Sequence, residues 1–129
     1  MDAISGKKRS NIKMSERWTE ERPWGRFLNL LESPETKVKL IEVDPQKRLS
    51  YQSHEKRSEN WTIISGMALV TLNEEDVSLK NGDHIFIPAK AKHRIKNSGS
   101  DKLRFIEVQT GDYFGEDDIR RYGDDFKRN

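Results

Sequence analysis

Along this chain, apolar and polar positions trade places in short runs from Phe27 onward, and turn-forming residues separate the runs. The runs cover 27–31, 37–43, 48–52, 61–65, 68–72, 77–79, 84–87, 93–96 and 103–108. Between them stand Ser33-Pro34, Asp44-Pro45, Asn81-Gly82-Asp83 and Asn97-Ser98-Gly99-Ser100, all rich in turn formers. Short strands at roughly ten-residue intervals predict an all-β sandwich or barrel. The Asn-Gly pair at 81–82 predicts a tight turn. After Gln109 the pattern changes: Asp117 and Asp118 precede Ile119, and Arg120 and Arg121 follow. An acidic first turn and a basic last turn suit a short C-terminal helix. Tyr113, Phe114, Ile119, Tyr122 and Phe126 are then available to cap one end of the barrel. Residues 1–20 are polar, with a basic cluster at Lys7, Lys8 and Arg9, and read as a flexible tail. Arg22-Pro23-Trp24-Gly25 marks entry to a single folded domain over 21–129, where the Trp packs and the Gly turns.

Composition narrows the function classes. With 129 residues there is room for one core, and 33% hydrophobic against 36% charged residues makes that core compact under a charged surface. A net charge of +2, with no aromatic interleaving of the basic cluster, gives no argument for nucleic acid. Cysteine is absent, so disulfides and thiolate ligands are excluded and any metal must be held by N and O donors. No apolar run approaches a membrane span, and no signal-peptide core opens the chain; the expected location is the cytoplasm.

One stretch concentrates chemistry. Gln52 and His54 lie two residues apart and share a strand face. Glu59 has the parity of Trp61 and Ile63, so a carboxylate heads an inward apolar row. His93 follows Pro88 by five residues in a second strand-and-turn segment. An amide oxygen, two imidazoles and a carboxylate form a ligand set suited to Zn²⁺ and acceptable to Mn²⁺, Fe²⁺ or Co²⁺. The alternatives are hydrogen-bonded core histidines, a Gln52 that bonds only backbone, and a solvated Arg57. A Glu59 buried without any cation would be costly, which favours a ligand role. His84 has no motif partner and reads as a surface or edge-strand residue.

Gln52-x-His54, four residues, Glu59, six residues and Gly66 resemble the first cupin motif, and Gly82, Pro88, His93 and Asn97 resemble the second. Within cupins the chain is similar to the isomerase domain of type II phosphomannose isomerases. The carrying strings are RPWG at 22–25, LSYQSH at 49–54, RSENW at 57–61, PAKAKHRIKN at 88–97, IEVQTGDYFGEDDIRR at 106–121 and the final DDF. The family's usual glycines are Gln46 and Lys90 here, both at positions expected to need positive φ. Asn60 and Glu55-Lys56 replace histidines of the family pattern. The resemblance implies a double-stranded β-helix and a divalent metal on Gln52, His54, Glu59 and His93, with Zn first and Mn, Fe, Co or Ni as alternatives. It also implies interconversion of mannose 6-phosphate and fructose 6-phosphate through an enediol. Arg57 is the candidate for a catalytic or phosphate-orienting role; Arg48, Lys56, Arg94 and Lys39 are candidates for the phosphate. Parity turns Arg94 away from His93. In the family this domain usually follows a mannose-1-phosphate guanylyltransferase domain, and no such segment accompanies it here, so GDP-mannose formation is not expected of these residues. Two other readings compete: another metal-cupin enzyme (an Fe(II) dioxygenase or a different sugar isomerase), and a non-catalytic sugar- or metabolite-binding cupin. The expected partner is a small sugar phosphate, with an open edge strand that invites a homodimer.

Overall fold

The computed structural model describes residues 18–126 and contains eleven strands among them. In chain order these are β1 (Glu20–Arg22), β2 (Gly25–Ser33), β3 (Thr36–Val43), β4 (Tyr51–Ser53), β5 (Arg57–Ser65), β6 (Met67–Leu72), β7 (Glu75–Lys80), β8 (His84–Ile87), β9 (His93–Asn97), β10 (Leu103–Gly111) and β11 (Arg120–Gly123). Two antiparallel sheets face each other, one ordered β1-β2-β3-β10-β5-β8 and the other β11-β4-β9-β6-β7. Eight of the nine runs seen in the alternation become strands, and of the run 48–52 only Tyr51 and Gln52 do, in β4. His84 is exposed on β8, an edge of the first sheet, as expected.

What positions the site is a change of character along each inward-facing row. On β3 the row runs Val43, Ile41, Lys39, Lys37; on β10 it runs Leu103, Phe105, Glu107, Gln109; on β5 it runs Ile63, Trp61, Glu59, Arg57. The strands are in register, so Ile41, Phe105 and Ile63 form one cross-strand row, and Lys39, Glu107 and Trp61 the next. The third row is Lys37, Gln109 and Glu59. One end of the sandwich is therefore a dry plug in which Val43, Val70, Ile95, Leu103 and Phe105 are wholly inaccessible to water. The other end is polar and stays open. Trp24 packs into the plug, and a side chain on Gly25 would meet the Glu42 carbonyl oxygen at 2.0 Å, so only glycine fits there.

Three turns refine the sequence reading. Gln46 (φ 66°) and Lys90 (φ 75°) do hold positive φ, at about 1 kcal/mol each in backbone strain. Hydrogen bonds fix both: the Gln46 N–H donates to Asn97 O, and the Lys90 N–H to His54 O. Asn81-Gly82 is a tight turn, closed by Asp83 N–H on Lys80 O, with Gly82 at φ 89°. It joins strands of different sheets and makes a corner. The two-residue hairpin lies instead at Asn73-Glu74, both at positive φ, between β6 and β7.

The short C-terminal helix is confined to one turn. A single 3-10 turn at Glu116–Asp118 is all that forms, and Arg120 and Arg121 continue into β11, which pairs with β4. Phe126 packs against the core, whereas Tyr113 and Tyr122 stay about two-fifths exposed. The expected flexible tail and its cluster at Lys7, Lys8 and Arg9 lie outside the described residues. Its last residues do dock: the Thr19 N–H donates to Phe27 O, and β1 begins at Glu20. Among the described residues, no helix is long and apolar enough to cross a membrane.

Candidate metal centre

The polar end encloses a cavity of about 280 Å³. His54, just past β4, Glu59 on β5 and His93 at the start of β9 meet at its wall. One ligand atom from each lies within 4.8 Å of the others, and all three residues are buried. The rings of His54 and His93 are 5.1 Å apart, and Trp61 lies edge-on to His93 at 5.6 Å. Gln52 also lines the cavity, directly opposite His93 in the β4–β9 pairing. Its amide nitrogen donates to Ser50 Oγ at 3.0 Å, which leaves the amide oxygen as its remaining lone-pair donor.

Arg57 is built into the cluster. Its Nε donates to Glu59 Oε2 at 3.0 Å and its Nη2 lies 2.8 Å from His54 Nε2. Trp61 Nε1 donates to the other Glu59 oxygen at 2.9 Å. The buried Glu59 therefore already has a counter-charge and two donors, so its burial does not by itself require a metal. The imidazoles carry the stronger argument. Burial, then the Arg57 charge, holds His54 down to about 2, and burial likewise lowers His93. Both rings are thus neutral; the lone pair of His54 Nε2 accepts from Arg57 Nη2, and a cation bound at that nitrogen would replace this hydrogen bond. His93 Nδ1 sits 3.0 Å from Ala91 O, and a proton on that nitrogen leaves Nε2 as the ligand atom. Two neutral imidazoles beside a carboxylate, with an amide oxygen on the same wall, fit a divalent cation of the zinc or manganese kind.

The remaining candidates divide. Arg48 is not among the residues lining the cavity, and its guanidinium donates to Asp125 through Nε (2.7 Å) and Nη2 (2.9 Å), which ties it to the C-terminal segment. Lys56 is not among the lining residues either, and its ammonium lies over the Tyr113 ring at 5.0 Å. Arg94 borders the cavity, but its guanidinium donates to the carbonyls of Leu49 (2.9 Å) and Gly123 (3.3 Å). Asn97 is structural. Its Nδ2 donates to Val43 O and Asp101 O, and its Oδ1 accepts from the Gly99 N–H.

Glu107 went unread in the sequence. It lines the cavity, is buried, and accepts from Gln109 Nε2 at 2.6 Å. Burial, followed by the neighbouring Glu59 charge, pushes its carboxyl up to about 7. The available signal was the one that marked Glu59: an acid on the inward parity of a strand, here Leu103, Phe105, Glu107 and Gln109.

Comparison with known proteins bears on this geometry. The family described as Mannose-6-phosphate isomerase C-terminal matches residues 8–124. The chain belongs to that family. Xanthan biosynthesis protein XanB of Xanthomonas campestris is 43% identical over 107 residues, 83% of this chain and 23% of that protein. Mannose-1-phosphate guanylyltransferase of Salmonella montevideo is 39% identical over 108 residues, 84% and 23% respectively. The chain thus spans under a quarter of the length of these relatives. Among solved structures, KdgF from Halomonas sp. superposes with a TM-score of 0.71 at 18% identity, over 79% of this chain and 90% of that one. A double-stranded β-helix protein from Klebsiella pneumoniae gives 0.70 at 20% identity, over 95% and 99%. These likenesses establish the cupin fold for this family domain.

Proposed function

We propose that this cupin domain is a metal-dependent aldose–ketose isomerase that interconverts mannose 6-phosphate and fructose 6-phosphate. The observation that carries the reading is the convergence of His54, Glu59 and His93 within 4.8 Å at the wall of a cavity, in a member of the mannose-6-phosphate isomerase family. The reaction moves a proton between C2 and C1 of the open-chain sugar, and its barrier is the weak acidity of a C–H beside a carbonyl. His54, Glu59, His93 and the Gln52 amide oxygen would hold a divalent cation, which would supply Lewis-acid stabilisation of charge on the sugar oxygens. Arg57 adds a donor: its Nη1 is buried without a hydrogen-bond partner, which suits a developing oxyanion better than a resting hydroxyl. Glu107 is a buried cavity carboxyl outside the ligand cluster, and we assign it the proton. Trp61 backs His93 and keeps water from that side.

The test is metal analysis of the purified chain followed by a coupled assay for fructose 6-phosphate. We expect bound divalent metal and turnover that a chelator removes and added metal restores, with both lost in His54→Ala. Turnover that survives in metal-free protein would refute the mechanism. Metal and sugar phosphate bound without turnover would instead make the domain a binding cupin.

A further inference from the structure

The cavity has more basic side chains on its wall than the cluster uses, and most are already engaged. Arg22 pairs with Glu20, and Lys37 lies 3.9 Å from Glu32. Arg94 is spent on two carbonyls, Arg57 is tied to the cluster through Nε and Nη2 with only its buried Nη1 left over, and Arg121 has a partner of its own. Lys39 differs. Its ammonium forms no ion pair among the described residues, and its contact is the face of Phe27 at 4.3 Å, a ring that lines the same cavity. A lysine over an aromatic face keeps its charge and its donors while the ring fixes its stem.

We propose that Lys39, on the inner face of β3, is the anchor for the phosphate group of the substrate, across the cavity from the His54–Glu59–His93 cluster. This rests on the isomerase reading for the identity of the ligand, though not for the anion it carries. The register sets the span. Lys39 faces Glu107, which faces Trp61, so two inter-strand steps, about 10 Å, separate the β3 backbone from that of β5. That is the reach of an extended open-chain hexose monophosphate with its carbonyl end at the cluster. The Lys39 charge is felt along this path: it adds to the lowering of His54 and offsets part of the rise at Glu107. A phosphate beside Lys39 would also find Asn29, its β2 partner, whose Oδ1 is buried without a hydrogen-bond partner and can accept from a protonated phosphate oxygen.

The test titrates metal-loaded wild-type protein, Lys39→Met and Lys39→Arg with inorganic phosphate, with mannose 6-phosphate and with uncharged mannose, by calorimetry. Lys39→Met should weaken inorganic phosphate and mannose 6-phosphate by about tenfold, the loss expected for one charge-assisted hydrogen bond. It should leave mannose binding and bound-metal content at wild-type values, and Lys39→Arg should restore most of the loss. Lys39→Gln serves in place of Met if that chain does not fold. Wild-type affinity for inorganic phosphate in Lys39→Met overturns the anchor, as does an equal loss for mannose. The two readings fail separately. Phosphate binding through Lys39 without fructose 6-phosphate formation keeps the anchor and sinks the isomerase. Isomerisation with an unchanged KM in Lys39→Met does the reverse.

Discussion

Glu107 sits where the inward row of β10 turns from apolar to polar, with Phe105 two residues before it and Gln109 two after. Gln109 holds one of its oxygens, so the carboxyl has a fixed place in the cavity wall without belonging to the ligand cluster. If it carries the substrate proton, Glu107→Gln keeps shape and hydrogen bonding while removing the function. We expect kcat to fall about 10²–10⁴-fold, with KM and bound metal near wild type. Loss of metal along with activity would show a merely structural part. At this scale the sequence was uneven. His54, Glu59 and His93 were legible because ligand types recur at motif spacing. Glu107 carries no such spacing, and Arg48 and Lys56 drew attention by charge alone although their partners, Asp125 and Tyr113, lie far along the chain.

Elements tell a similar story at the C-terminus. The order Asp117, Asp118, Ile119, Arg120, Arg121 satisfies the charge rule for a helix, yet Gly115 and Gly123 bracket it closely and so short a helix pays a nucleation cost with few bonds in return. β4 offers an unpaired edge, and the segment takes it: Arg120 pairs with Ser53, Arg121 with Gln52, and Tyr122 Oη lies 2.9 Å from Ser53 Oγ. The 3-10 turn has its own task. Both carboxylate oxygens of Asp118 accept from the 55–56 loop, one from the Glu55 N–H (3.1 Å) and one from the Lys56 N–H (2.9 Å). That loop connects His54 to Arg57. Asp118→Ala should therefore raise hydrogen exchange at the amides of 55 and 56 well above wild type, at a stability cost of about 1–2 kcal/mol. Unchanged exchange at those two amides would mean the loop holds itself.

For the whole molecule, one buried charge on the outer face of the larger sheet ties strands together. Glu42 is inaccessible to water, accepts from Arg26 Nε at 2.8 Å and Arg104 Nε at 2.7 Å, and has Lys102 at 3.7 Å. Burial alone would raise its carboxyl, but the two guanidinium hydrogen bonds win and hold it below the usual range. With the folded pKa depressed, the unfolded chain binds the proton more readily. The stability Glu42 contributes is therefore complete above the ordinary carboxylate pKa of about 4 and is lost as pH falls through the depressed value. Glu42→Gln should cost about 1–3 kcal/mol at pH 7, a range held down because its partners are half exposed. Chemical denaturation at pH 7 and pH 3 should show the gap between the two proteins narrowing in acid. A gap that widens would reverse the sign and the explanation.

The sequence by itself determined the strands, their inward parity and the three side chains of the candidate metal cluster, because alternation at period two and ligand chemistry are local properties. The strained backbone at Gln46 and Lys90 was expected from the family resemblance, which has glycine at both positions. Only the tertiary structure decided which polar residues share a wall. Register between β3, β10 and β5 brings Lys39, Glu107 and Trp61 into one row, and an open edge on β4 turns an expected helix into a strand. Those outcomes depend on pairing between segments many residues apart, which no window along the chain contains.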